Sequence, residues 1–306
     1  MLNHTLYRLK YRYAKYLPLK VPVDVSLELS SKCNMFCSYC YHAEPKNLGF
    51  NRKFMPVEMA YKIITEAALS GVSSLKLNYR GEATLNPKFT PITSYARSFD
   101  FVELLLNSNF KIHPNRREDI FYGISKLDKV KISYDSFLSD VFEKQRSGGD
   151  HLLTSENIDL FYNYPNRKTE IVIQAVRTDL NKNEDLEYEI KKRWPHATAS
   201  IRDLVGGRNN KTKDLKRDFN KRQSCIQAHA RLIFTSEGNA LPCCPDIKET
   251  LVLGNINEKS LKDIFNSYSA KILRENLKDG DAFKHPTCMN CPSHESFKGY
   301  KHPWKS

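Results

Sequence analysis

The chain predicts a parallel α/β fold: a partial, TIM-like (β/α)6 barrel followed by a small α+β domain. Three observations predict it. Short apolar strands alternate with helical patterns between residues 23 and 205, the mark of parallel strands joined by helical crossovers. Six such units fit that stretch, short of the eight of a closed barrel. After it the pattern changes to a hairpin, one amphipathic helix and paired cysteines.

The elements follow in order. Residues 1–22 are a basic N-terminal segment, with Arg8, Lys10, Arg12, Lys15 and Lys20 and no acid. Within it, LYRLKYRYAKYL (6–17) interleaves aromatic and basic residues and reads as an amphipathic helix on the barrel end. VDVSLEL (23–29) alternates as a strand and runs into a cysteine loop. VEMAYKIITEAALS (57–70) has helical periodicity, with Gly71 as its stop. SSLKLNY (73–79), FVELLL (101–106), KVKIS (129–133), EIVIQAV (170–176) and TASIRDL (198–204) are the next five strands. Helical patterns lie at about 154–163 and 183–193. Residues 206–222 are rich in Gly, Asn and Lys and read as a bridge. ARLIFTSEGNALPCC then reads as a hairpin turning at Glu237-Gly238-Asn239. A helix at about 260–277 follows, with Ser260 as its N-cap. The expected division is 1–22, a barrel core over 23–205, and an auxiliary domain over 206–306.

Composition excludes several classes. The 306 residues are 40% hydrophobic and 27% charged, enough for a real core and unlike a disordered chain. No apolar run spans a bilayer and the N-terminus has no apolar signal core, so a cytoplasmic protein with no membrane partner is expected. Net charge is 48 − 35 = +13. Residues 1–22 and 208–222 together hold +10 of it, which points to solvated faces or an anionic partner.

The cysteines narrow the chemistry. All eight lie in two groups, Cys33, Cys37 and Cys40 as C-x3-C-x2-C, and Cys225, Cys243, Cys244, Cys288 and Cys291. Without an export signal, metal or redox chemistry is a better reading than disulfides. Three cysteines in one loop suit an iron–sulfur cluster better than zinc, which wants four closed ligands. Three thiolates leave one iron open to an outside ligand. In the second group, a hairpin brings Cys225 and Cys243 together, and Cys288-x2-Cys291 adds a pair. Zinc and [4Fe–4S] both fit four such thiolates. Cys244 is left over and reads as a buried thiol beside the site.

The run LELSSKCNMFCSYCYH, a strand followed by C-x3-C-x2-C with Tyr39 before the last cysteine, resembles the radical SAM superfamily. That resemblance implies a [4Fe–4S] cluster on Cys33, Cys37 and Cys40 whose open iron binds S-adenosyl-L-methionine, which is cleaved reductively to a 5′-deoxyadenosyl radical. Loops at strand C-terminal ends carry function in barrels, and they match the family in order. Arg80-Gly81-Glu82-Ala83 is similar to its GGEP segment, which makes Glu82 the ligand of the SAM amino group; Arg80 and Ala83 depart from the pattern. Asn107-Ser108-Asn109 is similar to its Thr-Asn-Gly step, and Ser133-Tyr134-Asp135-Ser136 to its Ser-x-Asp segment. Arg146 matches a recurring arginine, as a SAM contact or a helix cap. Gln174 and Val176 end the strand that contacts adenine in the family.

C-x12-G-x4-C, then LGNI, a helix and a late C-x2-C, resembles the SPASM/twitch auxiliary domains. It implies a second, auxiliary [4Fe–4S] cluster on Cys225, Cys243, Cys288 and Cys291. No C-x5-C-x3-C tail follows, so the shorter, single-cluster twitch form is the nearer match. A fully ligated second cluster can accept an electron, which favours a two-electron oxidation of a polar or anionic small molecule. Peptide maturation and nucleotide or nucleic-acid modification are the alternatives, and a zinc-stabilised binding protein is the non-enzymatic one. Many SPASM relatives that mature peptides carry an added recognition domain, for which 22 residues before the first strand are too few. A reducing partner such as flavodoxin or ferredoxin is implied. Arg208, Tyr134 and Tyr79 are the candidates for a proton-handling or substrate-clamping group.

Overall fold

The computed structural model describes residues 2–43, 52–204, 225–279, 284–289 and 291. Helix α1 (Leu2–Arg12) and a 3-10 turn (Ala14–Tyr16) precede β1 (Asp24–Leu27). The barrel units are then α2 (Val57–Leu69), β2 (Ser74–Lys76), α3 (Phe89–Arg97), β3 (Glu103–Ser108), α4 (Arg117–Ser125), β4 (Lys129–Ser133), α5 (Ser139–Gln145), α6 (His151–Tyr162), β5 (Glu170–Arg177), α7 (Leu186–Arg193) and β6 (Thr198–Asp203). Strands β1 to β6 are parallel and lie side by side in chain order. This is the partial barrel the sequence predicts.

The second half joins the same sheet. After α8 (Gln227–Ala230), β7 (Arg231–Phe234) pairs in parallel with the free edge of β1. Strands β8 (Asn239–Leu241) and β9 (Gly254–Asn255) continue antiparallel, giving the order β6-β5-β4-β3-β2-β1-β7-β8-β9. The β7–β8 turn uses Gly238 at φ 88°, a left-handed conformation that favours glycine. Helices α9 (Leu261–Phe265), α10 (Tyr268–Asp279) and α11 (Pro286–Met289) follow. One continuous helix over 260–277 is therefore incorrect. The chain breaks at Asn266, whose side-chain amide donates to the carbonyls of Lys262 (2.7 Å) and Lys20 (2.8 Å). Ser260 does cap α9, accepting from the Asp263 amide at 3.1 Å, a contribution of about 1 kcal/mol.

Strand alternation sorts the side chains. Val25, Leu27, Leu75, Leu104, Val130, Ile132 and Ile173 pack under the helices in one core. The alternate positions face the concave side and are mostly polar: Asp24, Ser26, Lys76, Glu103, Asn107, Lys129, Lys131, Ser133, Gln174 and Ser200, with Leu105 and Val172 among them. Helix α1 lies across the lower end of this side. Its Tyr11 hydroxyl donates to Gln227 Oε1 at 3.2 Å, and burial, with Asp24 nearby, pushes the Tyr7 phenol up to about 12.

Candidate active site

The concave side opens at the strand C-terminal ends onto the cysteine loop. Cys33, Cys37 and Cys40 are all half-buried. Burial pushes Cys33 up to about 12 and Cys40 up to about 11, and raises Cys37. Each of the three is within electrostatic range of another. Neutral thiols are thus favoured in the metal-free chain, and a bound metal's charge reverses that preference. Two polar groups support the sulfurs. Asn109 Nδ2 lies 3.8 Å from Cys33 Sγ, and Arg146 Nη1 lies 3.8 Å from Cys37 Sγ. Such N–H···S contacts orient and tune cysteine-bound clusters. The donor set fits an iron–sulfur cluster with three protein thiolates.

The loop after β2 is pressed against the cysteine loop. The Glu82 amide donates to Lys32 O at 2.8 Å. A Cβ on Gly81 would stand 2.4 Å from the carbonyl oxygens of both Ser30 and Lys32, so only glycine fits this approach. Glu82 is buried, and its carboxylate accepts from Thr84 Oγ1 (2.8 Å), Thr84 N (3.2 Å), Ser108 Oγ (2.9 Å) and Asn109 N (2.7 Å). Burial raises its pKa while these four donors oppose the rise. Three of them fall on Oε1 and one on Oε2, so Oε2 keeps acceptor capacity. Glu82, Ser108 and Asn109 therefore form one network beside Cys33.

Asp135 organises the other side. It accepts from Tyr39 OH at 2.6 Å and from the Val176 amide at 2.8 Å, and its carboxylate pairs with Arg146 Nε at 2.9 Å. Asp135 is fully buried. These contacts tie the cysteine loop to the ends of β4 and β5. Arg146 also follows α5 directly, so it holds Asp135 and Cys37 from a helix end. Ser133 and Gln174 sit side by side in the sheet on the concave face.

Tyr134 belongs elsewhere. Its hydroxyl is 2.7 Å from His151 Nε2, and its ring packs against Phe137, Phe142 and Trp194 under the helices. It shares strand parity with Val130 and Ile132, the core face, whereas Ser133 and Asp135 share the concave face. The expected catalytic placement of Tyr134 is therefore corrected to a core position. Tyr79 is half-buried and its phenol is raised by burial. Arg208 and the basic block 208–222 lie outside the described residues.

In the second group, the other four cysteines lie within electrostatic range of Cys243. Cys243 is raised well above the usual thiol range by burial and by Cys244, Cys225, Cys291 and Cys288 around it. Cys225 and Cys288 are packed against the core, and the Cys291 amide donates to Cys288 O at 3.1 Å. Cys225, Cys243, Cys288 and Cys291 have the donor chemistry of a closed cluster. Among the described residues, no three His, Cys, Asp or Glu side chains converge as one metal ion requires. Cys244 is exposed rather than buried.

Three residues that sequence reasoning missed hold these parts together. Asp246 accepts from Thr250 N, Thr250 Oγ1 and Leu251 N, each at 2.8 Å, and from Thr287 Oγ1 at 3.1 Å. It thereby fixes the segment after Cys243 to the helix that carries Cys288. Arg116 donates to the carbonyls of Thr84 (2.9 Å) and Asn86 (3.2 Å), clamping the Glu82 loop. Glu28 accepts from Arg80 and from the Ser236 amide (2.9 Å), joining β1, the Glu82 loop and the hairpin. The only sequence signal was Arg80 itself, at a position where glycine is usual in the family it resembles.

Comparison with known proteins agrees with this architecture. The SPASM family model, an iron–sulfur cluster-binding domain, matches residues 225–292. An S-adenosyl-L-methionine-dependent 2-deoxy-scyllo-inosamine dehydrogenase of Niallia circulans is 35% identical over 68 residues. That match spans 22% of this chain and 27% of that protein. Among solved structures, BtrN in complex with AdoMet and 2-DOIA is similar at TM-score 0.58 and 16% identity, over 88% of this chain and 92% of that one. Streptococcus suis SuiB bound to precursor peptide SuiA is similar at TM-score 0.62 and 14% identity, over 94% of this chain and 78% of that one. Among the described residues no helix is long and apolar enough to cross a membrane. The family match thus gives residues 225–292 as a SPASM-type iron–sulfur cluster-binding domain, and the likeness to the solved structures shows that the chain has their partial-barrel fold.

Proposed function

We propose that the protein is a radical SAM oxidoreductase acting on a polar or anionic small molecule held in the concave face of the barrel. When bound, the cluster and S-adenosylmethionine supply a hydrogen-abstracting radical, and a second [4Fe–4S] cluster supplies an acceptor for the remaining electron. Cys33, Cys37 and Cys40 would hold the first cluster, and Cys225, Cys243, Cys288 and Cys291 the second. Glu82 Oε2 and the Asn109–Ser108 step would receive the SAM amino group, and Ser133 and Gln174 would contact its adenosyl part. Asp135, Tyr39 and Arg146 keep the cysteine loop in register with that surface. The chain divides, in this reading, into the N-terminal segment, the core to residue 205 and the auxiliary domain from 206, with flavodoxin or ferredoxin as the reducing partner.

The observation that carries the reading is the Arg80 bridge. The same residue that opens the Glu82 loop donates to Ile247 O at 3.0 Å and pairs with Glu249 at 2.8 Å, three and five residues after the second cysteine group's Cys243 and Cys244 segment begins its turn. The Glu82 loop and the segment after Cys244 are thus held together, which supports reading the two cysteine groups as parts of one catalytic unit. Oxidative maturation of a peptide is the second reading, supported by the likeness to peptide-bound SuiB.

The test is made on protein purified and reconstituted without oxygen. About eight iron and eight sulfide per chain are expected, falling to about four of each in Cys288→Ala/Cys291→Ala. That variant should form 5′-deoxyadenosine without completing an oxidation. Zinc without sulfide would refute the reading.

A further inference from the structure

The concave face carries more positive charge than its acids balance. Asp24 pairs with Arg231 at 2.7 Å. Glu28 is held by Arg80. Glu103 and Glu170 both pair with Lys129, at 3.2 and 3.1 Å. These four acids are met by three cations, Lys129 being shared by two of them, so Lys76 and Lys131 leave this set one positive charge in excess. Lys76 on β2 and Lys131 on β4 make no hydrogen bond or ion pair among the described residues, and both are half-buried.

The sheet register brings these two lysines towards one place. Lys76 is opposite Leu105, and Lys131 is opposite Asn107, so they stand two strands and two residues apart. Strand spacing and rise put their backbones about 12 Å apart. A four-carbon stem on each is long enough for the two ammonium groups to meet one anion across that separation. Burial pushes the Lys76 ammonium down to about 8, with Arg231 and Lys131 adding to it. Burial, then Arg202 and Lys129, lowers Lys131. Lys131 is one of the charges that lower Lys76, whereas Asp24 raises Lys76 and Glu103 and Glu170 raise Lys131, so the two ammonium groups oppose each other and are only partly offset by the acids nearby. An anion of charge two between them would remove that opposition and gain charge-assisted hydrogen bonds.

We propose that Lys76 and Lys131 seat a phosphate group carried by the substrate, deep in the concave face beneath the cysteine loop. This rests on reading that face as the substrate chamber, and it names the substrate class as phosphorylated compounds. The phosphate anchors one end of the molecule, and the carbon to be oxidised projects from it towards the strand C-terminal ends.

The probe is inorganic phosphate, titrated by calorimetry into the cluster-loaded protein at low ionic strength. A saturable site is expected. Lys76→Gln and Lys131→Gln should each weaken binding about tenfold or more. Lys144→Gln, at an exposed lysine on α5 that pairs with Asp140, should change it less than about threefold. Acetate, a monoanion, should bind more weakly than phosphate. Absence of saturable phosphate binding, equal binding in the Lys76→Gln/Lys131→Gln double variant, or acetate binding as tight as phosphate would each overturn the proposal. Formation of 5′-deoxyadenosine by the unaltered protein separates the two readings. If it occurs without phosphate binding, only the phosphate seat is wrong; if phosphate binds and none forms, the radical reading is wrong.

Discussion

Arg80 and Glu28 form a two-point pair, with Nε–Oε1 at 2.6 Å and Nη2–Oε2 at 2.8 Å, and both side chains are almost completely buried. Guanidinium geometry matches the carboxylate fork. A buried pair of this kind adds little net stability when intact, but losing one partner strands the other charge. Its use here is to hold three segments in one arrangement: β1, the Glu82 loop and the hairpin that leads to Cys243.

Replacing Arg80 should therefore act on both cysteine sites. Arg80→Met leaves Glu28 buried and unpaired, a loss of about 3–5 kcal/mol in unfolding free energy. Arg80→Lys keeps the charge and loses the fork. It should retain the fold in chemical denaturation yet lower the ratio of product to 5′-deoxyadenosine. An unchanged ratio in a folded Arg80→Lys protein would show that the bridge has no part in coupling the sites.

Gly81→Ala tests the contact between the two loops. The new methyl meets backbone oxygens at 2.4 Å, and relieving such overlap costs about 1–3 kcal/mol. Affinity for S-adenosylmethionine should fall about tenfold or more, measured by equilibrium dialysis of the cluster-loaded protein. Affinity equal to that of the unaltered protein would mean that this loop does not shape the SAM pocket.

Tyr134→Phe separates core from catalysis. The lost hydroxyl leaves His151 without that partner, which should lower unfolding free energy by about 1–3 kcal/mol. The rate of 5′-deoxyadenosine formation should stay as it was. A stable variant with abolished turnover would return Tyr134 to the catalytic group.

Asp246→Asn should loosen the second cysteine group only. Its carboxylate gathers four donors from the Cys243 segment and from Thr287. Iron content should fall towards about four per chain while the first cluster persists, as read by iron analysis and electron paramagnetic resonance.

How much of this was legible in the sequence depends on range. The strand KVKIS is β4 residue for residue, and the helix predicted over 57–70 is α2 at Val57–Leu69 with Gly71 at φ 78° just beyond it. Such elements are written in local periodicity. The cysteine sets stand out in the sequence because thiol spacing is itself the chemistry. The helix break at Asn266 was hidden because apolar periodicity continues on both sides of it. Tyr134 was misplaced although alternation with Val130 and Ile132 already assigned it to the core face. Arg80 and Asp246 could not be read at all, since their partners lie far along the chain, Ile247 and Glu249 for Arg80, or across a turn without periodicity. Arg80 registered only as a departure from a pattern, and the structure turns that departure into a link between the two sites.

The central claim is that Cys33, Cys37 and Cys40 support reductive cleavage of S-adenosylmethionine. The most direct measurement is 5′-deoxyadenosine released on reduction with dithionite, comparing the reconstituted unaltered protein with Cys33→Ala. The account predicts steady release from the unaltered protein and none above background from Cys33→Ala. Equal release from both, or none from an unaltered protein loaded with iron and sulfide, would contradict it.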